Sequence, residues 1–173
     1  MRKIFVAIIA TCLLINSVAF AEMKVFFAPP LQGQEMRATD VIVKEIDNAK
    51  SQILVQVYSF TSKPIADALV RAKNRGIDVQ IIIDAPSVKG KGSKVQMCLD
   101  ADITLYADSE HAIAHNKIGI IDKSKVIGGS FNWTGAAEQR NAENCTVIWN
   151  EPEIVKLYLT NWELHRKHSD LYE

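Results

Sequence analysis

The sequence has no excess of charge of either sign. Its 173 residues carry 20 Lys+Arg against 20 Asp+Glu. A neutral chain is not a basic polyelectrolyte, which excludes a histone-like or tail-driven nucleic-acid binder. Cysteine is scarce: three residues are too few for a disulfide scaffold. No apolar run reaches the roughly 20 residues that a comfortable transmembrane helix needs. Low-complexity tracts and linkers are missing after residue 21. With 48% apolar side chains, the composition is that of one compact domain, neither disordered nor collagen-like.

The first 21 residues have the layout of a secretory leader. Arg2 and Lys3 are followed by an apolar run from Ile4 to Ile15, and then by Ala19-Phe20-Ala21. Cleavage after Ala21 would export the chain to the periplasm or beyond, with no stable membrane association afterwards. An uncleaved anchor fits less well. Cys12, inside the apolar run after Thr11, makes a poor lipobox. The mature chain would keep 152 of the 173 residues, and losing Arg2 and Lys3 leaves 18 basic against 20 acidic groups, a net charge of −2. That length buries roughly 68–70% of its unfolded surface, enough for a core without staples. Cys98 and Cys145 remain, either as two small buried thiols or as one bridge.

Helix and strand patterns alternate along the rest. Gln34 to Lys50 carries apolar residues at helical spacing, and Ile53 to Phe60 reads as a buried strand. Ser62-Lys63-Pro64 opens a helix with Ile65, Leu69 and Ala72 on one face, stopped at Gly76. Val79 to Ile83 is a second buried strand, so the three elements form a βαβ unit with parallel pairing. Lys89, Lys91 and Lys94 lie in a glycine-rich basic loop, after which Ser93 can cap a short helix to about Ala101. Ile103 to Tyr106 is a strand. Ala112 to Ile121 and Lys125 to Ile127 form a hairpin turning at Asp122-Lys123-Ser124. Cys145 to Trp149 is a further strand. Glu151-Pro152 begins a last helix with a stripe of Ile154, Leu157, Tyr158 and Leu164, Trp162 at its edge and Asn161 interrupting it. The fold class is α/β, a mixed β-sheet flanked by helices in a single domain.

The chemistry is concentrated between His115 and Glu143. On a strand, His115 and Lys117 project to one face, with Ile118 and Ile120 on the other. Two groups that can both be cationic are a poor core pair but a sensible anion site. Gly128-Gly129 lets backbone approach that anion, Ser130 and Asn132 add neutral donors, and Thr134 can cap a short helix running to about Arg140. The histidine supplies a nitrogen that titrates near neutral pH.

The stretch His115-x-Lys117-x-x-x-x-Asp122, followed by Gly129-Ser130-x-Asn132, resembles the HKD motif of the phospholipase D superfamily at every signature position. Residues 57–84 resemble the family's first βαβ segment. Size, leader and single motif make the chain similar to the small secreted bacterial endonucleases of that superfamily. The resemblance implies a phospholipase D-like sheet and a homodimer in which one motif from each chain meets at a shared site. It implies that His115 of one copy attacks phosphorus, that His115 of the other protonates the departing oxygen, and that Lys117 and Asn132 hold the non-bridging oxygens. Ser130 positions the phosphate or the imidazole. An acid orients the nucleophile: Glu143 is at the matching position, with Glu138 the alternative. Asp122 completes the motif in a turn-fixing role. Independently, one motif supplies one histidine, while attack and leaving-group protonation call for two groups.

His165-Arg166-Lys167 is no second motif. Position 172 is Tyr rather than Asp, and residues two apart on a helix diverge. It reads as the basic end of the last helix. His111 and His115 have the i,i+4 spacing of helical zinc ligands, but the segment reads as strand, with no Glu after His111 and no Cys near. The sequence therefore calls for no metal and no cofactor, and His111 reads as a rim residue. Three functions remain. A nuclease would track nucleic acid with Lys89, Lys91 and Lys94, and with Lys123 and Lys125 beside the hairpin. A lipid phosphodiesterase would want Phe26, Phe27, Phe131 and Trp133 as an apolar rim, although Phe131 and Trp133 also suit the core or a dimer seam. A non-catalytic binding module would not need the intact set of five site residues.

Overall fold

The computed structural model describes residues 22–173; the expected leader, 1–21, lies outside them. Eight strands form one mixed sheet in the order β1-β7-β6-β5-β2-β3-β4-β8. In chain order these are β1 (Glu22–Ala28), α1 (Ala38–Asp47), β2 (Gln52–Val57), α2 (Lys63–Asn74), β3 (Asp78–Asp84), α3 (Val95–Leu99), β4 (Thr104–Asp108), β5 (Lys117–Ile121), β6 (Lys125–Gly129), α4 (Gly135–Gln139), β7 (Glu143–Trp149), α5 (Pro152–His168) and β8 (Asp170–Leu171). The β2-β3 pair is parallel, as the βαβ pattern predicts; β3-β4 is parallel too, and the others are antiparallel.

Strand alternation sorts the core into two layers. Ile53, Val55 and Val57 of β2 and Val79, Ile81 and Ile83 of β3 face a core shared with α1, α2, α3 and α4. Leu54, Ile82, Ile118, Ile120 and Val126 face the opposite side, against Val155 and Trp162 of α5. In α2, Ile65, Leu69 and Ala72 are fully buried as expected, and Gly76 takes φ +83° after the helix.

Several expectations need correction. The first helix is shorter than 34–50, because Gln34 leaves the helical pattern to hydrogen-bond Phe27 and Met36 backbone. The buried face of α5 is Val155, Trp162 and His165, while Leu157 and Leu164 are 70% and 60% exposed. Both stripes have helical spacing, and contact with the sheet selects one. Asn161, which interrupts the expected stripe, donates to buried Gln56 at 3.2 Å. Strand β1 was not foreseen. It is an edge strand exposed along most of its length, so its sequence lacks the alternation of a half-buried strand. Cys98 and Cys145 are separate free, buried thiols.

Candidate active site

Strand directions bring the motif residues together. The parallel strands β2, β3 and β4 end at Val57, Asp84 and Asp108 on one end of the sheet. Val57 pairs with Lys117, so antiparallel β5 begins at that end. β6 returns to it at Gly129, and Gly129 pairs with Cys145, so Glu143 at the start of β7 arrives there too. Ligand sites of open α/β sheets form in this place, beyond the carboxyl ends of parallel strands.

The strand expected from Ala112 begins only at Lys117. Residues 109–116 form a loop, pinned where Ala114 N donates to buried Asp84 at 2.9 Å and where Tyr58 N donates to Asn116 O at 2.9 Å. His115 is therefore exposed on a loop, and Lys117 is buried, 7% exposed. The lysine Nζ donates to the His115 carbonyl. Burial pushes the Lys117 pKa down, and nearby Glu143 opposes that shift.

Sequence reasoning missed Tyr58. Its ring packs on the His115 imidazole and lies 5.2 Å from Lys117 Nζ. Its position just beyond the carboxyl end of β2 was the available signal.

Gly129 has φ +127°, and a side chain there would collide with the Asn144 carbonyl. That carbonyl accepts from both Ser130 N and Phe131 N at 3.1 Å. The turn presents the Ser130 hydroxyl to Glu143, Oγ to Oε2, at 2.5 Å. Glu143 also accepts from Asn141 Nδ2 at 2.8 Å; no hydrogen bond joins it to His115 within the chain. Asn132 is half-buried at the same end, and its buried Oδ1 has no partner among the described residues. Trp133 is buried over Gly119, where only 3.3 Å separates the indole from the position of a Cβ, and its carbonyl accepts from Thr61 N and Ser62 N. Phe131 is buried as well. Thr134 caps α4, accepting from Ala137 N at 3.1 Å.

The alternative acid, Glu138, turns away to accept from Thr39 N in α1 at 2.8 Å. Asp122 lies at the far end of β5, about 15 Å along the strand from Lys117. With Lys123 it forms the hairpin turn at positive φ, and its carboxylate accepts from the backbone N–H of Lys50, Ser51 and Gln52. Burial disfavours its charge, but these bonds and the Ser51 hydroxyl outweigh that and hold its pKa below the ordinary value. Lys123 and Lys125 flank the hairpin turn as expected, but at this far end, and Lys125 pairs with Glu45 at 2.9 Å. The Lys89–Lys94 loop is at the motif's end instead: Lys94 N donates to Phe60 O, and Phe60 bridges to Trp133. His111 does not pair with His115. Its neighbours are Asp108, His165 and His168. A cavity of about 530 Å³ between β1 and α1 is lined by Phe27, Met36 and Trp149, and none of the motif residues borders it.

Comparison with known proteins agrees with this geometry. The family described as "Cardiolipin synthase, PLD-like domain" matches residues 42–164. The Phospholipase D of Rickettsia conorii is 40% identical over 156 residues, covering 90% of this chain and 74% of that one. The Mitochondrial cardiolipin hydrolase of Mus musculus is 32% identical over 115 residues, covering 66% and 52%. The crystal structure of Nuc from Salmonella typhimurium, a phospholipase D family member, superimposes with a TM-score of 0.81 at 37% identity, covering 89% of this chain and 99% of that one. Motif, sheet topology and these relatives together make the chain a phosphodiesterase of the phospholipase D superfamily.

Proposed function

We propose that the protein is a secreted endonuclease that cleaves nucleic-acid phosphodiesters without regard to sequence, at a site shared between two copies. The observation that carries this reading is the set of groups at one end of the sheet. One exposed imidazole, His115, shares one end of the sheet with Lys117, Asn132 and the Ser130–Glu143 pair. The basic 89–94 loop is attached to the same end.

In the proposed reaction, a ring nitrogen of His115 attacks phosphorus, and the bond to the leaving oxygen breaks. That oxygen takes a proton from His115 of the second copy. The same second imidazole then removes a proton from water, whose oxygen displaces the phosphohistidine and restores both groups. Lys117 and Asn132 offset charge on the non-bridging oxygens, so the scheme calls for no metal. Ser130, held by Glu143, orients the phosphate.

A lipid substrate is the second reading. The names of the Rickettsia conorii and Mus musculus relatives favour it, as does Ile113, 57% exposed two residues before His115. Against it, Phe131 and Trp133 are buried and cannot form a membrane rim. No described helix is long and apolar enough to cross a membrane.

Plasmid DNA, RNA, phosphatidylcholine and cardiolipin offered side by side in excess EDTA decide between these readings. DNA nicking by wild type and none by His115→Ala is expected; faster release of lipid headgroup would replace the nuclease reading. A dilution series followed by sedimentation tests the shared site, since specific activity should fall as dimers dissociate. N-terminal sequencing of the exported protein should begin at Glu22.

A further inference from the structure

The protein has four histidines. One is His115, and the other three converge on a single carboxylate. Asp108, the last residue of β4, is completely buried. His111 Nδ1 lies 3.2 and 3.3 Å from its two oxygens, His165 Nδ1 lies 2.9 Å from Oδ2, and His168 Nε2 lies 3.4 Å from Oδ2. The rings also pack on one another, with centroids 4.8 to 5.1 Å apart. One ligand atom from each of the four side chains falls within 4.8 Å of all the others.

Hydrogen bonding alone does not explain this convergence. The Asp108 carboxylate can accept from all of these donors, but three imidazoles at such spacing repel one another once protonated. A divalent cation removes that repulsion, because neutral imidazoles and an ionised carboxylate each direct a lone pair to it. Zinc bonds to such nitrogen and oxygen ligands measure about 2.0–2.2 Å, which gives a tetrahedron edges of about 3.3–3.6 Å. The observed N···O spacings of 2.9 to 3.4 Å lie at or just below that edge, and all four ligand atoms fall within 4.8 Å of one another. Three nitrogens and one oxygen, with no thiolate, suit zinc better than copper(I), calcium or magnesium.

We propose that Asp108, His111, His165 and His168 form a binding site for one divalent transition-metal ion, zinc by preference, separate from His115. Four protein ligands leave no open position, so the ion is structural. It ties the end of β4, the last turn of α5 and the loop leading to His115 into one unit. Glu110 N donates to Asp108 Oδ1 at 3.2 Å and helps orient that carboxylate, and the Ser169 hydroxyl donates to the His165 backbone carbonyl at 2.7 Å at the end of α5. This inference does not rest on the phosphodiesterase reading.

Purified protein stripped with EDTA and dialysed would be titrated with Co²⁺ and then with Zn²⁺. One equivalent of Co²⁺ per chain should give the visible d–d bands of a tetrahedral site, Zn²⁺ should displace it, and Zn²⁺ should raise Tm. His111 and His168 are not buried, so His111→Ala and His168→Ala should fold, as far-UV circular dichroism would verify. Each should weaken metal binding by more than the roughly 10–100-fold that loss of an outer partner costs. His115→Ala should bind the ion normally. The proposal is overturned if stoichiometric Co²⁺ gives no band and Zn²⁺ leaves Tm unmoved. It is equally overturned if the band survives in the His111→Ala/His168→Ala double variant or disappears in His115→Ala. Cleavage of DNA or lipid is measured separately, so its failure would not bear on the metal site.

Discussion

The His115 imidazole packs on the ring of Tyr58, with centroids 4.7 Å apart and planes tilted by 54°. An exposed histidine on a loop would otherwise sample several rotamers, so the tyrosine confines the group expected to attack phosphorus. Tyr58→Phe should retain activity close to wild type. Tyr58→Ala should lower kcat by about 10- to 100-fold, the loss expected when a reacting group is misplaced by about an ångström. Single-turnover kinetics would check this, and an unchanged kcat in Tyr58→Ala would remove the role.

Two acids were candidates to support the site, and their hydrogen bonds separate them. Glu143 holds Ser130 at the motif's end, so Glu143→Gln should cost about 10- to 100-fold in kcat at little change in Tm, the worth of one charged hydrogen bond. Glu138 caps α1, whose own N-cap residue, Arg37, makes no side-chain cap bond. Glu138→Ala should therefore cost about 1–2 kcal/mol of stability and leave turnover per folded molecule intact. Urea unfolding and initial rates on both variants should give opposite patterns.

Asp122 gives a pH prediction. Its folded pKa lies below the ordinary 3.8, so its contribution is complete above that value and is lost as pH falls through the lower, folded one. Asp122→Asn keeps a residue tolerant of positive φ but removes the charge that three backbone N–H groups share. It should be less stable than wild type by about 1.5–3 kcal/mol at pH 7, and the gap should narrow steadily below pH 4. Urea titrations at pH 7 and pH 3 measure it. A gap that stays constant would show that the charge is not what stabilises the turn.

Gly129→Ala should be harmful twice over. It places a side chain at φ +127° and drives it into the Asn144 carbonyl, which holds the Ser130 turn. A loss of about 2–3 kcal/mol is expected, with reduced activity even below the melting range. Urea unfolding and a cleavage assay at low temperature would test both parts.

The βαβ unit and the motif were legible because their information is local. Ile53–Phe60, the Ile65-Leu69-Ala72 stripe and the spacing from His115 to Asn132 each announce themselves within a short window. What was not legible depends on neighbours distant in the chain. The helical stripes of Leu157/Leu164 and Val155/Trp162 are equally regular, and only the sheet beneath α5 chooses between them. His111 is separated from His165 by more than fifty residues, so no spacing rule connects them. Lys123 and Lys125 are near the motif in sequence yet at the opposite end of β5 in space, because a strand carries its two ends apart. β1 escaped notice because an exposed edge strand has only one partner to impose a pattern.

The two separate thiols have a practical consequence. Burial pushes Cys98 and Cys145 up to about 12, so in the folded chain both are protonated, shielded and slow towards alkylating reagents. Cys98 belongs to α3, beside β4, and Cys145 to β7, on the other flank of the sheet. Each thiol is thus a natural clock for its own flank: its labelling rate counts how often that part of the molecule opens, and unequal rates would reveal which flank opens first.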